Sequence, residues 1–203
     1  MINTESIRSK LSLKYDIDNI SSNDLDNIID INISPVDNNN VNQVVDFNDL
    51  DYFNNLRRLK IQYCFINREV LEKIIKLDKL EYISFIFCEF DNNIEDLMRE
   101  INIKNFTIKK SINFRLDYLN NKIYDKLIIS DENIYNKLLL KSKVLDISHS
   151  IIIDREMLFE LDVEKIVISY DEYDNNKNIY DNLEYIVEVK SKDDLTIDKI
   201  INN

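Results

Sequence analysis

Few residues in this chain have side chains suited to catalysis. His149, the only histidine, stands in the run Asp146, Ile147, Ser148, His149, Ser150, which gathers the three residue types of a hydrolytic relay. A strand through that run points Ser148 and Ser150 to one face and His149 to the other, so no Ser–His relay closes locally and the expectation is an exposed histidine at a strand end. Cys64 and Cys88 are the only thiols. Zinc takes about four Cys or His ligands, and neither thiol has a CxxC partner or a nearby His, so the pattern predicts two free, buried thiols. Asp171, Glu172 and Asp174 offer carboxylates for calcium, but the chain has no Gly for the sharp turn of such a loop, and Asn182 stands where its closing Glu belongs. Lack of Gly also removes the usual phosphate-cradling loops and nucleophile elbows. The residues thus predict a non-enzymatic protein with no cofactor, no metal and no small-molecule substrate.

The elements that must carry these residues are set by a repeat. Leu50, Phe53, Leu56, Leu59, Ile61, Cys64 and Ile66 recur 24 residues later as Ile74, Leu77, Leu80, Ile83, Phe85, Cys88 and Phe90. Alternation at Leu59 and Ile61 makes a short strand with Lys60 and Gln62 on its other face. Spacing after each strand is helical, with Asn67 expected to cap the segment through Ile75 and Asp91 the segment through Ile101. Weaker copies run both ways, with markers at residues 13, 33, 61, 85, 108, 129, 147, 168 and 189, a mean step of 22. An upstream cap at Asn23 or Asp24, a bulging loop over 35–42, a late loop over 174–182 and a polar cap or tail over 191–203 complete the expectation.

The core pattern LxxLxLxx(N/C)xL, carried by Leu56, Leu59, Ile61, Cys64 and Ile66 and again by Leu80, Ile83, Phe85, Cys88 and Phe90, closely resembles the leucine-rich repeat. The resemblance implies an α/β solenoid with a parallel sheet on its concave face and helices on its convex face. It would form one domain over 1–203, with weak repeats or a cap over 1–45, main repeats over 46–172 and a last repeat or cap over 173–203. Units of this kind are stable only when stacked, because each alone leaves an apolar face uncovered.

A net charge of −12 argues against nucleic acid and against an anionic membrane, since phosphate contacts need clustered Lys and Arg. The polar start, Met1 to Lys10, and the lack of a long apolar run predict a cytoplasmic protein with reduced thiols. No Gly, Ala or Trp and an excess of Asn, Ile, Asp, Lys and Tyr point to an AT-rich genome. The composition resembles divergent leucine-rich-repeat families of large insect DNA viruses and of other AT-rich genomes; a viral origin would place the protein in the host cytoplasm.

On the implied concave face, Tyr63, Tyr82, Ile86 and Phe87 form an exposed aromatic and aliphatic patch bordered by Arg58, Lys60 and Lys109. Such patches mark interaction sites, with Tyr and Arg as favoured anchors. The expected function is protein–protein interaction, the partner being an acidic or phosphorylated protein. The alternative is a substrate-recognition adaptor of a ubiquitin ligase, implied by Cys-bearing repeats of F-box proteins, although the chain before Leu11 is too short for the adaptor-binding domain.

Overall fold

Leu59 and Ile61 alternate with half-buried Lys60 and Gln62, and this period-two stretch is the strand Arg58–Gln62. In the computed structural model, which describes residues 20–35, 47–130, 133–134 and 138–191, the same logic gives a series of short parallel strands. The fold class is α/β. The chain divides into two compact units, Met1–Ile103 with Lys110–Tyr118, and Lys104–Lys109 with Leu119–Asn203.

In the first unit β1 (Asp30–Ile33), β2 (Arg58–Gln62) and β4 (Tyr82–Ile86) pair in that order, all parallel. Ile33 lies opposite Ile61, and Ile61 opposite Phe85. A smaller parallel pair, β3 (Phe65–Ile66) and β5 (Glu89–Phe90), sets Ile66 beside Phe90. Leu59, Ile61, Cys64 and Ile66 and their counterparts Ile83, Phe85, Cys88 and Phe90 are all fully buried. Phe85 meets Phe90 edge-on at 5.1 Å within one repeat, and Phe90 meets Phe114 at 5.1 Å, so aromatic contacts link β4 to β5 and β5 to the segment around Phe114.

The helix Arg68–Ile75 starts where expected, with the Asn67 side chain accepting from Val70 N–H, and it buries Val70, Leu71 and Ile74. Two other caps differ from expectation. Ser21, not Asn23 or Asp24, caps Ser22–Asp26, because Asp24 sits three residues on and returns the hydrogen bond as the second half of a capping box. The helix Glu95–Glu100 begins after Ile94 with no side-chain cap, while Asp91 Oδ1 accepts from Asn93 N–H in the preceding turn at 3.4 Å.

In the second unit β6 (Asn105–Lys109), β7 (Ile123–Ser130), β9 (Lys141–Asp146), β11 (Asp162–Ser169) and β12 (Ile186–Lys190) form a parallel series. Ile108 lies opposite Ile129, Leu145 opposite Ile166, and Ile168 opposite Val189. β8 (Asn133–Ile134) and β10 (Ile151–Ile152) make a second small pair. The return after β9 is the 3-10 turn Glu156–Glu160, not an α-helix. A shorter repeat leaves less chain for the return, and a 3-10 turn covers more distance per residue.

The segment expected as a loop over 174–182 contains the end of one short helix, Tyr170–Asn175, and the whole of another, Lys177–Tyr180. Its polar residues hold one another. Ser169 Oγ accepts from Glu172 N–H at 3.2 Å, and the Glu172 carboxylate accepts from Arg155, Asn176 and Tyr180 at 2.8–3.1 Å. Burial and the neighbouring Glu172 carboxylate raise the Tyr180 phenol above its ordinary range, so it stays a donor. The strand at Leu13, the loop over 36–42 and the tail beyond Ser191 lie outside the described residues.

Exposed ion pairs join neighbouring rungs within each unit: Asp30–Arg58, Arg57–Glu81 and Arg68–Asp96 in the first, Lys143–Asp125, Lys141–Asp162 and Lys165–Glu188 in the second. Each contributes about 0–1 kcal/mol, so they favour one register more than they add stability. Among the described residues no helix is long and apolar enough to cross a membrane.

Candidate functional site

The outward side chains of the first unit's strands are Asp30 and Asn32 on β1, Arg58, Lys60 and Gln62 on β2, and Tyr82, Ser84 and Ile86 on β4. Arg58 and Tyr82 are register partners, with the guanidinium 5.2 Å from the ring centroid. Arg58 also pairs with Asp30 at 3.5 Å. Lys60 faces Ser84, and Gln62 faces Ile86.

Ile86 departs from expectation: it is only 8% exposed and adds little to any open apolar patch. Strands about 4.8 Å apart let a long neighbour such as Gln62, opposite Ile86 on β2, cover a residue on β4 even where it points outward. The same crowding buries Ser84, whose Oγ finds no hydrogen-bond partner. An unmet buried hydroxyl costs about 1–3 kcal/mol. Lys109 ends β6 and so belongs to the second unit, whereas the other six expected residues lie in the first.

Directly after β2 and β4 come Tyr63 and Phe87, both half-buried. Their rings stack with centroids 5.0 Å apart and planes 3° from parallel. Lys110 stands over the other side of the Phe87 ring, its Nζ 5.7 Å from the centroid. All three have left-handed backbones, with φ of 56° at Tyr63, 54° at Phe87 and 47° at Lys110. For a residue with a Cβ this conformation costs roughly 1–2 kcal/mol. The stack returns about 0.5–1.5 kcal/mol and the cation–π contact about 0.5–1 kcal/mol at an exposed site, so the ladder stays strained. Lys110 is the member that sequence reasoning left out of the site, although its spacing from Phe87 nearly repeats that of Phe87 from Tyr63.

Two other sequence features resolve as structural devices. Cys64 Sγ donates to Gln62 O at 3.1 Å, and Cys88 Sγ lies 3.4 Å from Ile61 O on the preceding rung. Ser150 Oγ makes the equivalent bond to Ile129 O at 2.9 Å. Burial pushes the Cys88 thiol from 9.0 up to about 11. Both thiols are free and buried, and Ellman's reagent at pH 8 is expected to find none in the native protein and two after denaturation. Because the Cys88 pKa is raised on folding, its contribution is fully present below pH 9.0 and disappears as pH rises toward about 11. A loss on the order of 2–3 kcal/mol from this thiol is expected across that window, read by urea titration as the difference between the native chain and Cys88→Ser. The difference is needed because the buried phenols of Tyr124, Tyr180 and Tyr185, also raised, cost stability at high pH in both.

Around His149, the Ser148 hydroxyl donates to Asp146 Oδ1 at 2.7 Å, and Lys190 Nζ pairs with Asp146 Oδ2 at 3.0 Å. The carboxylate thus orders the end of β9; the chain turns after Asp146 instead of continuing the strand, and His149 in that turn is half-buried rather than the exposed strand-end residue expected. Among the described residues no three His, Cys, Asp or Glu side chains converge on a point where a metal could sit. Compared with protein-family models, curated proteins and solved structures, the chain matches none.

Proposed function

We propose that this chain is a non-enzymatic recognition module of the leucine-rich-repeat type, binding a partner protein through its first unit. The contact surface runs from the Arg58–Tyr82 pair, past Lys60, to the ladder of Tyr63, Phe87 and Lys110. In the leucine-rich-repeat reading this side is the concave face of a solenoid and the helices form its convex side. Support comes from the matched burial of two consecutive repeats and from their one-to-one register, Leu59 beside Ile83 and Ile61 beside Phe85.

One observation carries the functional reading. The chain has Asn in plenty, the residue with a Cβ that best tolerates a left-handed backbone, and uses it in that conformation at Asn113 and Asn121. At the three ladder positions it instead carries Tyr, Phe and Lys, whose side chains gather into one column with two half-buried rings and an exposed ammonium. Local strain at side chains suited to contact is a mark of binding surfaces, where the contact made offsets the strain. The outward strand residues and the ladder together hold three cations, Arg58, Lys60 and Lys110, against one carboxylate, Asp30, on a chain whose net charge is −12. That local reversal of sign favours an acidic or phosphorylated protein surface as partner.

Affinity capture from cells of the source organism, using the full chain beside a folded Phe87→Asp variant, tests this. A protein retained by the first and lost from the second is the expected result; identical captures would contradict the proposal.

A further inference from the structure

We infer that the partner is bound through a phosphorylated side chain, whose phosphate is taken by Lys60, Gln62 and Ser84. The inference rests on the recognition reading above and commits its partner to one chemistry. Lys60 and Gln62 project from the same face of β2, and Ser84 lies opposite Lys60 on β4. Ser84 is 1% exposed, and its hydroxyl has no hydrogen-bond partner. Lys60 and Gln62 are half-buried, and among the described residues neither side chain has a partner. These adjoining polar groups are left unmet on a chain where Asp and Glu outnumber Lys and Arg by 38 to 26. An apolar side chain of similar size at position 84 would serve the fold better, since a buried hydroxyl without a partner is destabilising.

The surroundings select the ligand. Across the strands Lys60 stands between Asn32 and Ser84, with no carboxylate on either side. Arg58 is engaged by Asp30 and the Tyr82 ring, and Lys110 by the Phe87 ring, so the anion is left to the groups that have no partner. An ammonium, a hydroxyl and an amide NH2 offer more donors than the two oxygens of a carboxylate accept. A phosphate monoester presents three terminal oxygens and nearly two negative charges. One oxygen set between Lys60 and Ser84 accepts from both, and another faces Gln62, two residues along the strand. Such residues start roughly 7 Å apart, and Lys and Gln are long enough to converge on a group of that size. Entry to Ser84 requires the facing Lys60 side chain to shift, and no partner among the described residues holds its ammonium.

NMR titration of the 15N-labelled full chain with inorganic phosphate, against acetate at equal ionic strength, tests the site. Saturable shifts at the amides of residues 60, 62 and 84 are expected with phosphate, at a dissociation constant of about 1–10 mM, and none with acetate. Lys60→Gln weakens phosphate binding at least about tenfold. Ser84→Ala weakens it about tenfold while the melting temperature stays or rises, a combination that a purely structural serine would not give. Phosphatase treatment of the captured partner lowers its affinity for the chain at least about tenfold.

No saturable phosphate shift, or phosphate binding indifferent to Ser84→Ala, would overturn the inference. A partner lost with Phe87→Asp but held equally before and after phosphatase would also overturn it, and would leave the recognition module standing. Phosphate bound as expected, with captures identical for the native chain and Phe87→Asp, would uphold the site and remove the recognition reading instead.

Discussion

Truncating Phe85 to alanine is expected to lower the unfolding free energy by about 3–5 kcal/mol. The ring is fully buried, touches Phe90 edge-on at 5.1 Å and shares its row with Ile61 on the neighbouring strand. Backbone hydrogen bonds fix the spacing between β2 and β4, so the strands cannot close over the space left behind, and the cavity term adds to the lost transfer energy. A domain of ordinary size is stable by about 5–15 kcal/mol, which makes this one ring a large share of the total. Urea denaturation should show the midpoint falling with little change in slope. A loss below about 1 kcal/mol would mean that the rungs do not share a packed interior.

Two residues along the chain, Phe87→Asp should do the reverse. The ring is half-buried and its backbone left-handed, so removing it forfeits a stack of about 0.5–1.5 kcal/mol while a smaller side chain relaxes part of the strain. Stability is expected to change by no more than about 1 kcal/mol. Partner affinity, by contrast, should fall by 2 kcal/mol or more, about thirtyfold, as for a central aromatic anchor. The variant also sets a carboxylate beside the Lys110 ammonium, cancelling part of the local positive charge that the proposed partner would use. Surface plasmon resonance with the captured protein, together with a urea titration, separates the two effects. A stability loss as large as that of Phe85→Ala would make Phe87 a core residue.

Why Phe85 and Phe87 differ so much was partly legible in the sequence. Period-two alternation sorts Ile83 and Phe85 from Tyr82 and Ser84, and the 24-residue recurrence aligns them with Leu59, Ile61, Arg58 and Lys60, so the parallel register of β2 and β4 follows from pattern alone. Burial of outward residues does not. Ile86 and Ser84 are buried with Gln62 and Lys60 opposite them on β2, and alternation says only which way they point. The left-handed turns at 63, 87 and 110 were likewise hidden, since they fall on Tyr, Phe and Lys rather than on Gly or Asn; what was visible was a column at those positions, each just before Cys or Ser. Around Glu172, composition suggested a loop, because single-residue polarity cannot show that Arg155, Asn176 and Tyr180 all converge on one carboxylate. The exposure of Ile123, Leu139 and Phe159 was hidden for the opposite reason: scattered apolar residues read as core until the fold leaves them outside.

Isothermal titration of the captured partner into Phe87→Asn decides whether the ladder exists for recognition. Asn already holds left-handed turns at Asn113 and Asn121 in this chain, so the substitution keeps the backbone and removes only the ring. Binding lost at an unchanged melting temperature is the predicted result. Undiminished binding, with the melting temperature lowered instead, would show that the stacked rings serve the fold and that the partner is held elsewhere.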